Sequence, residues 1–239
     1  SMGKTAFALS VMYNVLKEGY KGIFISLEMV HTEVSKRLTI MDSRIPASKY
    51  RKKMASYVKK NVDASFSRLM DKNLYISDRR GLATADIKAR CRKIANKMNG
   101  VDFIVIDYLQ NIKLEDNSKN TADKIGDATL DIRNLAGELE IPVMLLSQVH
   151  RKNDKVPNLS DLRGSGRIEE NADEVWFPYR PEYHEKKIKK KPKKEEAKII
   201  LGKGRTTGTS IVDFIWYPRI LYWRDEFLEE KEGPLNLIN

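Results

Sequence analysis

Ser1-Met2-Gly3-Lys4-Thr5 runs directly into the apolar, helix-forming stretch Ala6-Phe-Ala-Leu-Ser-Val-Met-Tyr13. Gly-Lys-Thr at a loop-to-helix junction is the second half of the phosphate-loop pattern G-x-x-x-x-G-K-[ST]. Each residue type has a physical task there. Glycine lets backbone N–H groups close on phosphate oxygens, the lysine reaches the β- and γ-phosphates, and the threonine hydroxyl ligates Mg²⁺. Ser1, Gly3, Lys4 and Thr5 are the residues of this cradle. The first glycine of the pattern falls five positions before Gly3, upstream of Ser1, and the preceding strand is expected upstream as well.

Beyond this junction, short apolar runs alternate with longer helical ones. Residues 22–26, 73–77, 101–106 and 142–147 read as buried strands. Helices are expected over 30–41, over the polar and basic stretch 46–72, over 83–98 with Thr84 as cap, and from a polar loop at 112–123 through Glu140. Apolar strands separated by helices predict a parallel sheet covered on both faces. After residue 172 the texture changes to 174–179, 197–201 and 209–216, read as further strands, some antiparallel, that extend the same sheet.

Composition narrows the class without naming an activity. The chain has 239 residues, enough for one large α/β domain, with 41% hydrophobic and 32% charged residues. No apolar run is long enough to span a bilayer. A single cysteine precludes an internal disulfide and fits a reducing cytosol, and with three histidines it leaves no zinc cluster. The net charge of +11 is compatible with a polyanionic partner. Much of the excess lies in Lys186-Lys-Ile-Lys-Lys-Lys-Pro-Lys-Lys194, which reads either as a solvated loop insertion or as a nucleic-acid contact.

Phosphoryl transfer needs a cradle, a metal held by a carboxylate, a group aligning water and positive charge for the transition state. Asp107 ends the apolar strand 101–106, where a carboxylate holds Mg²⁺ together with Thr5. Glu28, in Ser26-Leu-Glu-Met29, is placed to orient or deprotonate water. Gln148, in Leu146-Ser-Gln-Val149, is placed to sense the γ-phosphate. Lys203 and Arg205 offer two cations in a Gly/Thr-rich turn. Each has an ordinary reading too, as a polar residue closing a strand or a solvated loop cation.

In order along the chain, residues 1–9, Ile25–Met29, Phe103–Gln110, Ile141–Arg151, Asp161–Asp173 and Leu201–Thr209 resemble the motifs of the DnaB-type replicative helicases. The resemblance is to their RecA-like C-terminal motor domain, and it runs from Ser1 to about Phe227. It implies an α/β, RecA-like P-loop NTPase core over 1–228, with a basic insertion near 184–197 and a tail at 229–239. It also implies an ATP- and Mg²⁺-dependent hexameric ring that translocates on single-stranded DNA, with a primase and a helicase loader as partners and no membrane. Position by position, Gly3, Lys4 and Thr5 match the phosphate loop, Glu28 the catalytic carboxylate and Asp107 the metal-holding acid. Gln148 matches the glutamine linking nucleotide state to DNA, and Lys203 and Arg205 match the basic pair that reaches the adjacent subunit.

DNA contacts would come from channel-facing loops, here 112–124 and the segment around 150–164, with Lys113, Lys119, Asn120 and Lys124 on phosphates. The first loop lacks aromatics, so backbone tracking is expected rather than base stacking. Gly164 stands where the family has an acid, and Arg167 where a small residue is usual. Another RecA-fold ATPase (recombinase or clock-type) is the runner-up reading, disfavoured by the Asp161–Asp173 block. A catalytically silent fragment that keeps only the fold is the third. With half a phosphate loop, the chain alone is expected to bind ATP poorly and to be largely monomeric.

Overall fold

Alternation along the strands decides the architecture. A computed structural model describes residues 2–50, 54–114, 120–149, 156–162, 165–183 and 192–238. Strands β1 (Gly22–Ser26), β2 (Leu74–Ser77), β3 (Phe103–Asp107) and β4 (Val143–Leu145) form a wholly parallel sheet in the order β2-β1-β3-β4. Ile23, Ile25, Ile104 and Ile106 point to one face. There they pack against helices α4 (Thr84–Lys97) and α5 (Thr121–Leu139) through Ile87, Cys91, Ile94, Ala128 and Ile132. Phe24, Phe103 and Val105 point to the other face, onto α1 (Lys4–Lys17) and α2 (His31–Ser43) through Leu9, Met12, Leu16, Val34 and Leu38. Side chains alternate with period two, so Asp107 shares the α1 face with Phe103 and Val105.

The expectation that the late strands extend this sheet is not met. Among the described residues, strands β5 (Glu174–Tyr179), β6 (Glu195–Gly204), β7 (Ser210–Tyr217) and β8 (Tyr222–Asp225) pair only with one another, in sequence order and all antiparallel. The β6–β7 and β7–β8 connections are short enough for neighbours to satisfy each other's backbone groups locally. Helix α1 lies between the two sheets. Its Ala6 and Phe7 pack with Ala197, Ile199, Trp216 and Trp223 of the antiparallel one. A helix buried on both sides is apolar nearly all round, which explains why Ala6 to Met12 carries no charged residue.

Other boundaries shift in informative ways. The stretch expected as one helix over 46–72 is a short 3-10 turn at Ala47–Lys49 followed by α3 (Ser56–Met70), with 51–53 outside the described residues. Thr84 does not cap α4. Ala83 holds that position, its N–H donating to Asp86, while the Thr84 hydroxyl donates to Asp131 of α5 at 2.6 Å. Helix α7 (Glu226–Glu232) straddles the expected domain-to-tail boundary. Its Glu229 is buried, accepts from Tyr217 Oη at 2.7 Å and pairs with buried Arg224 at 2.8 Å. Leu235 and Leu237 beyond it pack near Ile40 and Ile220.

Cys91 of α4 is fully buried against the parallel sheet, and burial pushes its thiol up to about 12, with Arg90 and Arg92 opposing the rise. Thiolate is the reactive form. Maleimide labelling at pH 8 is therefore expected to be at least about a hundredfold slower in the native protein than in urea. Comparable rates would mean that α4 is not seated on the sheet as described.

Candidate active site at the strand ends

The carboxyl ends of β1, β3 and β4 meet the first turn of α1. Gly3 takes φ of 96° at the helix start, a left-handed conformation that glycine adopts without penalty, and its carbonyl accepts from Phe7 N–H at 2.8 Å. Lys4 and Thr5 are then the first helical residues, where backbone N–H groups lack helical partners and the macrodipole favours anions. A Cβ on Gly3 would also stand 3.3 Å from Trp223 Nε1.

Register sets the acids. Ser26 is the partner of Asp107 across β1 and β3, and Leu27 N–H donates to Asp107 O at 2.7 Å. The Ser26 hydroxyl donates to Met29 O at 2.6 Å and accepts from its N–H at 3.0 Å, closing a turn that leaves Glu28 exposed at its tip. Arg80 donates to the Glu28 carbonyl at 2.9 Å.

The electrostatics couple these groups. Burial pushes the Asp107 carboxyl above the usual carboxylate range. A hydrogen bond from the Thr5 hydroxyl opposes that rise, Glu28 adds to it, and Lys4 and Arg37 oppose it. Burial likewise lowers the Lys4 ammonium, against the pull of Asp107 and Glu28. Lys4 Nζ donates to Ser147 O at 2.5 Å and lies 5.9 Å from the Tyr108 ring centroid. Gln148, at the end of β4, is half-buried, and its N–H donates to Gln110 Oε1 at 3.1 Å. Lys4, Thr5, Glu28 and Asp107 are thus brought together, with Gln148 joined to them through Ser147.

The donor set fits a hard divalent cation. Asp107 Oδ2 is buried with no hydrogen-bond partner among the described residues, and a hydroxyl lies against the same carboxylate. No group of three or more His, Cys, Asp or Glu capable of holding a metal occurs among the described residues. Mg²⁺ suits such a place, because it is commonly held by one or two protein oxygens plus substrate phosphates.

The remaining expected residues lie elsewhere. Lys203 Nζ donates to the Glu169 carbonyl, and Arg205 donates to Glu170 O at 2.8 Å and pairs with Asp173 at 3.3 Å. Both therefore stand on the β6–β7 hairpin against the end of α6 (Ser165–Asn171). Asn120 caps α5, accepting from Asp123 N–H at 2.9 Å and donating to its carboxylate at 2.8 Å. Lys113 is exposed and Lys124 half-buried. Ser1, Lys119, Gly164 and residues 150–155 lie outside the described residues, as does 184–191 of the basic tract. Tyr108, Gln110, Ser147, Arg37 and Arg80 join the site without having been singled out. The runs Asp107-Tyr-Leu-Gln110 and Leu146-Ser-Gln-Val149, within recognised motifs, carried Tyr108, Gln110 and Ser147, while Arg37 and Arg80 had no signal.

Residues 1–225 match the DnaB-like helicase C terminal domain. The chain belongs to that family. It is 36% identical over 224 residues to the replicative DNA helicase DnaB of Geobacillus stearothermophilus, covering 90% of this chain and 48% of the relative. It is 34% identical over 224 residues to the replicative DNA helicase DnaC of Bacillus subtilis, with the same coverage. Among solved structures, a DnaB-like replicative helicase studied with primase superposes with a TM-score of 0.85 at 30% identity, over 94% of this chain and 56% of that one. A solved ATPase domain gives the same score and identity, over 94% of this chain and 81% of that one. The fold is therefore the RecA-like one of DnaB-type ATPase domains. The chain spans about half the length of the curated relatives it matches.

Arg167, where the resemblance leads us to expect a small residue, has a defined seat in the structure. Its side chain lies across Gly126 of α5, where a Cβ would overlap Arg167 Cδ and stand 2.8 Å from its Cβ. Its guanidinium pairs with Asp123 and Asp127, each at 3.4 Å. In a helix interior Gly126→Ala should gain about 1 kcal/mol of propensity, whereas overpacking costs about 1–3 kcal/mol. Urea unfolding should show Gly126→Ala destabilising the protein, but stabilising it by about 0.5–1 kcal/mol when Arg167→Gly removes the overlying side chain. The same sign in both backgrounds would refute this packing.

Proposed function

We propose that this chain is the ATP-hydrolysing motor of a replicative DNA helicase, acting in a ring of six subunits on single-stranded DNA. The observation carrying the reading is the convergence of Lys4, Thr5, Asp107 and Glu28 on one helix N-terminus, while Lys203 and Arg205 are held on a separate hairpin. Lys4 and the first-turn N–H groups of α1 bind the β- and γ-phosphates of ATP, and Ser1 and Gly3 complete the cradle. Thr5 and Asp107 hold Mg²⁺, which when bound neutralises charge on the phosphate oxygens. Glu28, at an exposed turn tip, orients water and accepts its proton. Gln148 reads the γ-phosphate.

Lys203 and Arg205 are proposed to act on the neighbouring subunit's nucleotide, stabilising charge that develops at transfer. Hydrolysis then depends on assembly. Lys113, Lys119, Asn120 and Lys124 are proposed to meet DNA phosphates, the cap role of Asn120 orienting the start of α5 beneath them. The net charge of +11 supports sequence-independent, salt-sensitive binding. A primase and a loader are proposed as partners of the whole protein, in the cytoplasm.

The test is hydrolysis with and without single-stranded DNA, in the protein carrying its complete phosphate loop and in its Lys4→Ala, Glu28→Gln and Arg205→Ala variants. Each substitution should lower the rate at least about a hundredfold. Mixing Glu28→Gln with Arg205→Ala subunits should restore a measurable fraction, because some interfaces then join an intact Glu28 to an intact Arg205. Mixed rings that form yet stay inactive would exclude action in trans, and a protein that assembles without binding or hydrolysing ATP would sink the motor reading.

A further inference from the structure

We propose that Gln110 is a positioning residue that ties the nucleotide-facing end of β4 to the start of the 112–120 segment. Its carboxamide uses both ends. Oε1 accepts from the Gln148 N–H at 3.1 Å, and Nε2 donates to Ser147 Oγ at 2.8 Å. The opposite amide orientation would set an NH₂ group against the Gln148 N–H, so the pair of contacts fixes which way the side chain lies. Ser147 is the residue whose carbonyl receives Lys4 Nζ. One side chain thus holds the two residues through which β4 meets the phosphate-loop lysine and the candidate γ-phosphate sensor.

Gln110 sits in the 3-10 turn Leu109–Asn111, and that turn is itself fixed. Leu109 and Ile112 are buried in the core on either side of it. Leu109 N–H donates to Leu146 O at 2.8 Å, which is where, among the described residues, the main-chain link from this turn to the β4 end stops. The Gln110 side chain carries the link two residues further. Asn111 Nδ2 reaches Leu27 O at 3.4 Å, beside Glu28, and Lys113 N–H donates to Leu82 O at 2.9 Å. A turn that brackets the ends of β1 and β4 therefore leads straight into the segment proposed to meet DNA. Through Gln110, a shift of Ser147 and Gln148 on hydrolysis is delivered to the first residues of that segment rather than absorbed in a slack loop.

The role rests on the proposed reading of the site as an ATPase, and the test separates the two. Gln110→Met keeps length and packing but makes neither hydrogen bond. Gln110→Glu keeps an acceptor for the Gln148 N–H, and the Ser147 hydroxyl can turn to donate to it. In the protein, Gln110→Met should lower DNA stimulation of hydrolysis about tenfold, with KM for ATP within about twofold, as expected for losing two modest hydrogen bonds. Gln110→Glu should recover most of that stimulation. A purely packing role predicts the reverse ranking, and parental stimulation in Gln110→Met would overturn the proposal.

Amide hydrogen exchange supplies a readout that needs no activity. The Gln148 amide should exchange at least about tenfold faster in Gln110→Met than in the parent, while the β3 amides of Ile104 to Ile106 keep their protection and report an intact fold. Unchanged protection at Gln148 would overturn the tie even if the parent hydrolysed no ATP, an outcome that by itself counts only against the motor reading.

Discussion

Everything in this domain hangs on one helix held on two sides. Helix α1 gives one flank to the parallel sheet and the other to the antiparallel sheet, so its axis is fixed by two cores rather than one. Its N-terminus is the proposed phosphate cradle. The trans-sheet contacts are specific: Trp223 N–H donates to Ser10 Oγ at 3.0 Å, and Tyr222 Oη to Asn14 Oδ1 at 3.0 Å. Burial of residues such as Leu9 and Met12, at about 1.5–3 kcal/mol each, stabilises this placement far more than any one polar contact in the site. A phosphate site preorganised by packing costs little reorganisation when an anion arrives.

Strand parity does the rest. Because side chains alternate, Asp107 falls on the α1 face as a consequence of Phe103 and Val105 falling there, and the β1–β3 register then puts Ser26 beside it. The acid is buried where its charge is costly, and a hydroxyl and two cationic residues offset part of that cost. A carboxylate with one orphan oxygen in such surroundings is poised for a cation. Glu28 escapes this burial through a turn closed by Ser26, which keeps one acid dry and the other wet within the same site.

Much of this was legible in the sequence, for physical reasons. The central strands β1 and β3 announce themselves because burial on both faces leaves them almost wholly apolar, the half-buried β2 and β4 are short apolar runs beside them, and the Gly-Lys-Thr junction is short-range chemistry. What escaped was chosen by tertiary contact. Whether the late strands join the first sheet or close on themselves is not written in the period-two pattern of 197–201 or 209–216. Ala83 rather than Thr84 caps α4 because Asp131, remote in sequence, claims the Thr84 hydroxyl. Arg167 is seated over Gly126 and between Asp123 and Asp127 of another helix, contacts that its local sequence does not announce. The polar partners Gln110, Ser147 and Arg80 converge from separate strand ends, and no spacing rule places them together.

The aromatic cluster behind the phosphate cradle has an optical consequence. Phe7, in the first turns of α1, lies 5.7 Å from Trp223 and 6.1 Å from Trp176, and Trp223 lies 5.5 Å from Trp216, centroid to centroid. These are all three tryptophans of the chain. Two are buried and the third, Trp176, is 43% exposed. The indole emission of the whole domain therefore originates from one small region, the back wall of the proposed phosphate site, and serves as a built-in local probe of it with no label attached.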